Sequence, residues 1–204
     1  TILGVLFALF FEMDYKGSKV IRSLMMAPLM IAPLVAGLTW KLMMSSSFGI
    51  VNELLKRIGI LSSTSDILWL ADKRWSLLAC CIADIWLTTP FMMLMILAGL
   101  QGLDSSMIEA AKIDGASTIQ QVFSIKLPVI KPVLLTALSV RIIDAARTFD
   151  IIWAMTEGGP NSSSETISII IYKTLTRYNQ IGYASAMAVV FIAVLVIFTL
   201  IFMQ

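Results

Sequence analysis

The run from Tyr183 to Gln204, which ends AMAVVFIAVLVIFTLIFMQ, contains no charged side chain. About 20 such residues in succession make a helix long enough to cross a bilayer. A segment of this kind constrains the whole chain, because in hydrocarbon every backbone N–H and C=O must be satisfied within the protein. Four further stretches qualify or nearly qualify: 1–13, about 21–44, about 77–100 and about 129–153. Composition agrees with this reading. Of 204 residues, 58% are apolar and 14% are charged, whereas a soluble domain carries about 25% charged residues to clothe its surface. The fold class that follows is all-α: a polytopic membrane helix bundle, with residues 1–204 as a single transmembrane domain.

Other functions lose ground on the same page. A net charge of +2 offers no strongly basic surface for nucleic acid. Histidine is absent, which removes His-based catalytic triads and the common zinc sites. Cys80 and Cys81 are neighbours in an apolar run. On a helix they point about 100° apart, too far to bridge, and read as small apolar fillers. The chain opens on Thr1 and runs directly into TILGVLFALFF without a basic segment, so no signal peptide is expected there.

Four polar connections separate the apolar stretches: 14–20, 45–76, 101–128 and 154–182. The last contains Gly158-Gly159-Pro160-Asn161, a turn signal. Lys and Arg concentrate on the cytoplasmic side of membrane proteins. Here one side would hold Lys16, Lys19, Arg22, Lys112, Lys126 and Lys131, and the other Lys56, Arg57, Lys73, Arg74, Lys173 and Arg177. The tie leaves the orientation to other features.

Residues 104–132 read DSSMIEAAKIDGASTIQQVFSIKLPVIKP. Ser106 and Glu109 have the spacing of a capping box, and so do Ser117 and Gln120. The first helix is expected to run to Asp114, where Gly115 supplies the left-handed residue that ends it. The second is expected to run to about Lys126, with Pro128 stopping it. Ala110, Ala111, Gly115 and Ala116 leave a surface that another backbone can approach closely. On caps alone the favoured reading is a plain interfacial loop connecting two membrane helices.

Glu109-Ala110-Ala111, Asp114-Gly115-Ala116, Ile125, Leu127-Pro128 and Pro132 resemble the EAA loop of permease subunits of binding-protein-dependent ABC importers. The flanks are similar to the carbohydrate branch of that family: Pro90-Phe91, Leu97 to Gln101, Phe149-Asp150, Gly158-Gly159-Pro160 and Gly182-Tyr183-Ala184, with Trp40 and Gly49 to Asn52 upstream. Where the family usually has phenylalanine this chain has Val122, with Phe123 beside it.

The resemblance implies a type I importer permease fold with about six membrane helices, one of them expected before Thr1. It also implies a bacterial or archaeal cell (inner) membrane, with 14–20 and the coupling loop 104–128 in the cytoplasm and 45–76 and 154–182 outside. Its implied partners are two ATPase subunits carrying ATP and Mg, a second homologous permease subunit, an extracytoplasmic solute-binding protein and membrane lipid. The solute would be a sugar or sugar-like molecule. By position, Glu109, Ala110, Ala111, Asp114, Gly115, Leu127 and Pro128 would couple this chain to the ATPase. The chain itself has no Gly-x-x-x-x-Gly-Lys-Ser/Thr phosphate loop, so the nucleotide belongs elsewhere, and no cofactor or metal is expected on it.

Charged residues also fall within the apolar stretches: Asp84 in the third, and Arg141, Asp144, Arg147 and Asp150 in the fourth. A charge at the bilayer centre costs about 2.5–3.5 kcal/mol on insertion scales. On one continuous helix the last four would alternate in sign every three residues and pair in a ladder. Asp84, Arg141, Asp144 and Arg147 could instead wall a path for hydroxyl-rich solutes, with Asp150 structural. Trp40, Trp86 and Trp153 could stack on sugar rings, although packing is the commoner role of tryptophan in membrane helices. A secondary transporter or channel would also use such charges, and a membrane-embedded enzyme is a third class. The transporter or channel leaves the EAA segment unexplained, and the enzyme is disfavoured because no catalytic constellation stands out in the sequence.

Overall fold

The computed structural model describes residues 1–13, 15–62 and 66–202, and among these it contains helices and connections without a strand. Asp14 and the 63–65 part of the Ser/Thr cluster lie outside the described residues. The chain divides into two compact units. One comprises Thr1–Leu29, Thr88–Ile142 and Thr199–Gln204, the other Met30–Leu87 and Ile143–Phe198.

In order, the helices are α1 (Ile2–Glu12), α2 (Ser18–Met26) with a 3-10 turn (Ala27–Met30), α3 (Pro33–Met43), α4 (Ile50–Arg57), α5 (Ser76–Gln101) and α6 (Ser105–Ile113). There follow α7 (Thr118–Gln121), a π-helical turn (Val122–Lys126), α8 (Leu127–Val129), α9 (Lys131–Ala146), α10 (Asp150–Thr156), α11 (Ile167–Thr176) and α12 (Ile181–Phe202).

The core of the first unit joins Ala8 and Phe11 of α1 to Met93, Ile96, Leu97 and Leu100 of α5, with Ile130. The four α5 residues recur at i, i+3, i+4 and i+7, the spacing that lines up one helix face. The second unit buries Ala36, Met44, Trp69, Ala79, Cys80, Ala83, Leu87, Ile151, Ile152, Met155 and Ile169. Small residues set the helix spacing there: a Cβ on Gly37 of α3 would lie 2.8 Å from the Ala154 Cβ and 3.1 Å from the Ile151 carbonyl of α10. Close backbone approach of this kind drives packing in lipid, where apolar burial alone gives no preference for protein over acyl chain. Cys80 is buried as a filler and Cys81 is exposed, and neither forms a disulfide.

By length and composition α5 and the stretch Ile181–Ile201 can each cross a membrane. Two expected spans are broken. The 21–44 stretch is interrupted between Met30 and Pro33. Pro33 forces Ala32 into an extended conformation (φ −61°, ψ 136°), and the proline then serves as the first residue of α3. The 129–153 stretch stops at Ala146 and resumes at Asp150. Its loose carbonyls are satisfied from α11 and its cap: the Thr166 hydroxyl donates to Thr148 O (3.1 Å) and the Ser168 hydroxyl to Arg147 O (3.3 Å). α1 covers 11 residues, about half of the 20 a full crossing needs. Within the 154–182 connection, α11 forms a further apolar helix.

Candidate functional site

The most patterned segment folds as two helices around a glycine elbow, with one correction to its caps and one to its stop. Asp104, not Ser106, is the N-cap of α6, and its carboxylate accepts the Ser106 N–H at 2.9 Å. Both residues can cap, but a carboxylate also gains from the positive end of the helix dipole. The same N–H holds the Asp104 carboxyl below the usual carboxylate range. Glu109 therefore stands inside α6, exposed, rather than folding back on the first turn.

The C-terminus of α6 follows the pattern read from the sequence. Gly115 has φ +79°, its N–H donates to Lys112 O (3.1 Å), and the Ala116 N–H donates to Ala111 O (2.9 Å). These two bonds make a Schellman motif. Ser117 and Gln120 form the expected reciprocal box: the Ser117 hydroxyl accepts the Gln120 N–H (3.3 Å), and the Gln120 side chain accepts the Ser117 N–H (2.8 Å).

Pro128 does not stop the second helix. The chain passes through the π turn, where the Leu127 N–H reaches back to Val122 O, and stays helical to Val129. A π turn is wider than an α turn and gives the proline ring room against the preceding turn. The break comes later, as a 69° bend between Thr118–Val129 and Lys131–Ala146.

Of the residues matched to the EAA pattern, Glu109, Ala110, Asp114, Gly115 and Pro128 are exposed, Leu127 is half-buried and Ala111 is buried. The segment also turns large apolar side chains outward: Ile113 is 86% exposed, Ile119 71% and Phe123 68%. Ile113 and Ile119 were not singled out from the sequence, and Phe123 only as a neighbour of Val122. Their signal is placement: Ile113 sits at the end of α6 beside the elbow, while Ile119 and Phe123 stand four residues apart on the next helix. Lys126 ties the segment to α1 through an ion pair with Glu12 (2.6 Å), both side chains largely buried.

The four-membered charge ladder does not form on one helix. Asp144 lies in the last turn of α9, Arg147 in the break and Asp150 in the first turn of α10. Asp144 and Arg147 pair at 3.1 Å and are both exposed. Arg141 is half-buried one turn before Asp144. Asp84 is half-buried on α5, between the core residues Ala83 and Leu87. Trp153 stacks on Phe149 (5.6 Å, 12°) and carries the Arg177 guanidinium 5.7 Å over its ring, so its ring is engaged in packing. Trp40 and Trp86 meet edge to face at 5.9 Å.

Comparison with known proteins extends these observations to the whole chain. Residues 1–204 match the family model described as the binding-protein-dependent transport system inner membrane component. The trehalose/maltose transport system permease protein MalF of Thermococcus litoralis is 39% identical over 206 residues, covering 100% of this chain and 68% of that protein. The sulfoquinovosyl glycerol transport system permease protein SmoG of Agrobacterium fabrum is 36% identical, covering 100% of this chain and 67% of its own length. The crystal structure of a bacterial ABC transporter that imports the acidic polysaccharide alginate superposes with a TM-score of 0.86 at 23% identity, over 98% of this chain and 70% of the other, a likeness of fold. The chain belongs to the inner-membrane components of binding-protein-dependent transport systems, as a transport subunit and not an enzyme.

Proposed function

We propose that this chain lines the membrane path for a sugar or sugar-like solute in an ATP-driven importer, and that residues 104–128 receive the stroke of a separate ATPase. The observation that carries the coupling role is the outward presentation of Ile113, Ile119 and Phe123 around the Gly115 elbow. A connection serving only to join two helices gains nothing by exposing its largest apolar side chains, whereas a surface that docks in a partner's groove must do so. Relatives named for trehalose/maltose and sulfoquinovosyl glycerol transport support the choice of solute class.

In this reading ATP and Mg act on two partner ATPase subunits. A second permease subunit completes the path, and an extracytoplasmic binding protein delivers the solute. Residues 14–20 and 101–128 face the cytoplasm, residues 45–76 and 154–182 face outward, and the chain crosses the inner membrane several times. Asp84, Arg141, Asp144 and Arg147 are the path candidates, since a hydroxyl-rich solute needs donors and acceptors that lipid cannot supply. Glu109, Ala110, Ala111, Asp114, Gly115, Leu127 and Pro128 form the lever.

The test uses the reconstituted complex with Gly115→Leu and Glu109→Lys. No atom lies within 4 Å of a Cβ built on Gly115, so the subunit itself has room for a side chain there. Both variants are expected to insert in the membrane and to lose ATPase co-purification or solute-stimulated hydrolysis. Wild-type assembly with wild-type stimulation across a panel of sugars would reject the coupling role.

A further inference from the structure

We propose that α4 is an interfacial helix whose Ile50 and Leu54 side chains, with that of its C-cap Ile58, seat in the headgroup–acyl boundary of the bilayer. This eight-residue helix divides its circumference into three sectors. One is bound to protein: Asn52 is buried, accepts the Trp69 indole N–H at 2.8 Å and donates to Ile67 O at 3.0 Å, while Val51 and Leu55 pack on the core. The second is polar and paired, Arg57 with Glu53 at 3.0 Å and Lys56 with Asp66 at 2.8 Å. The third is apolar and open: Ile50 is 51% exposed, Leu54 47% and Ile58 70%, at i, i+4 and i+8 along one side of the helix.

The depth of the helix follows from its anchors. Its N-terminal end is pressed on the end of α3: the Gly49 N–H donates to Ser45 O at 2.9 Å, and a Cβ at Gly49 would lie 2.2 Å from Ser45 O and 2.6 Å from Met43 O. Its buried side is fastened to Ile67 and Trp69, a few residues before α5 begins at Ser76. The helix is therefore tied both to the exit of one apolar segment and to the entry of the next, which places it at the membrane surface. An amphipathic helix lying there buries its apolar side about 5–10 Å into the interface. Because both of its basic residues are already paired, the attachment is apolar and does not depend on anionic lipid.

Spin labels on single cysteines at positions 50, 54, 58 and 53 test this in the assembled transporter in nanodiscs, with Cys80→Ala and Cys81→Ala as background. Labels at 50, 54 and 58 are expected to collide more often with oxygen than with a water-soluble nickel chelate, and the label at Glu53 to show the reverse. The pattern should be the same in phosphatidylcholine with and without phosphatidylglycerol. Greater access of the nickel chelate at 50, 54 and 58 would overturn the proposal by placing the stripe in water. Protection from both reagents would overturn it by assigning the stripe to a protein partner, and a pattern that appears only with phosphatidylglycerol would overturn its apolar basis.

Discussion

The connection after α10 and the connection after α5 both join apolar helices, and they direct their side chains oppositely. Residues 157–166 turn inward. The Thr156 and Ser164 hydroxyls lie 2.7 Å apart, Ser164 donates to Gly159 O at 2.8 Å, and the Ser76 and Ser163 hydroxyls meet at 2.7 Å. Ion pairs from Glu157 to Arg177 (2.9 Å) and from Glu165 to Lys173 fasten the same segment to α11 and the residue after it. Residues 102–130 satisfy their backbone with caps and a Schellman turn, then expose Ile113, Ile119 and Phe123. The first connection is finished by its own polar groups. The second is finished locally but leaves Ile113, Ile119 and Phe123 exposed, as the coupling role proposed above requires.

Two left-handed glycines offer the sharpest way to break this comparison. Gly158 has φ +86°, and a Cβ there would lie 2.5 Å from Glu165 Cγ and 3.3 Å from Ile169 Cγ2. Backbone strain and overpacking each cost about 1–3 kcal/mol, so Gly158→Val is expected to remove roughly 3 kcal/mol or more of stability. Gly115 has φ +79° with no atom within 4 Å of the added Cβ. Gly115→Val should therefore cost the backbone strain alone, about 1–3 kcal/mol, without the overpacking added at Gly158. Thermal unfolding of the purified transporter compares the two. Equal losses would mean that the 157–166 segment is no more tightly closed than the other.

This contrast was only partly legible in the sequence. The all-α bundle, the Gly115 elbow and the Ser117–Gln120 box rest on local signals, apolar run length and cap spacing, and those survive folding. The break at 147–149 depends on hydroxyls of Thr166 and Ser168, which no pattern around Asp144 announces. Pro128 looked like a stop because its ring excludes an α turn, and a single π turn upstream removes that exclusion. Ile113 and Ile119 were overlooked because an apolar residue on a helix is ordinarily assigned to a core. Asp84, Arg141, Asp144 and Arg147 were recognisable as charges in apolar stretches, but the ladder of Arg141, Asp144, Arg147 and Asp150 assumed one unbroken helix.

A medium effect is expected where the outward-facing connection is anchored. Lys126 and Glu12 form the ion pair that fastens the π turn to α1, with little of either side chain in water. Losing one partner should cost about 1–2 kcal/mol, the lower part of the range for charged hydrogen bonds because the pair keeps some solvent contact. Lys126→Ala and Glu12→Ala are expected to destabilise to a similar degree. The double variant should lose less than the sum, since it strands neither charge. Additive losses in a double-mutant cycle would show that the two side chains do not act as a pair.

The smallest effect is one of pH, and it separates the two connections by how far the change spreads. The hydrogen bond from Lys173 is the main cause that holds the Glu165 carboxyl below the usual carboxylate range. Burial opposes it, and the Ser162 hydrogen bond and the Lys173 and Arg177 charges assist. A folded-state pKa below the ordinary glutamate value of 4.5 means that the native state binds the proton less readily than the unfolded chain. The stabilisation is thus present in full above about pH 4.5 and is lost as the pH falls through the lowered value. Asp104 is lowered as well, by the Ser106 N–H, but it ties only one helix end. Hydrogen exchange, corrected for its intrinsic pH dependence, should show protection across 158–166 falling together upon acidification, whereas in the other connection only the first turn of α6 frays. Glu165→Gln should flatten the first response and leave the second unchanged. An unaltered acid response in that variant would mean that the closure of 157–166 rests on its hydroxyls and not on the Glu165–Lys173 pair.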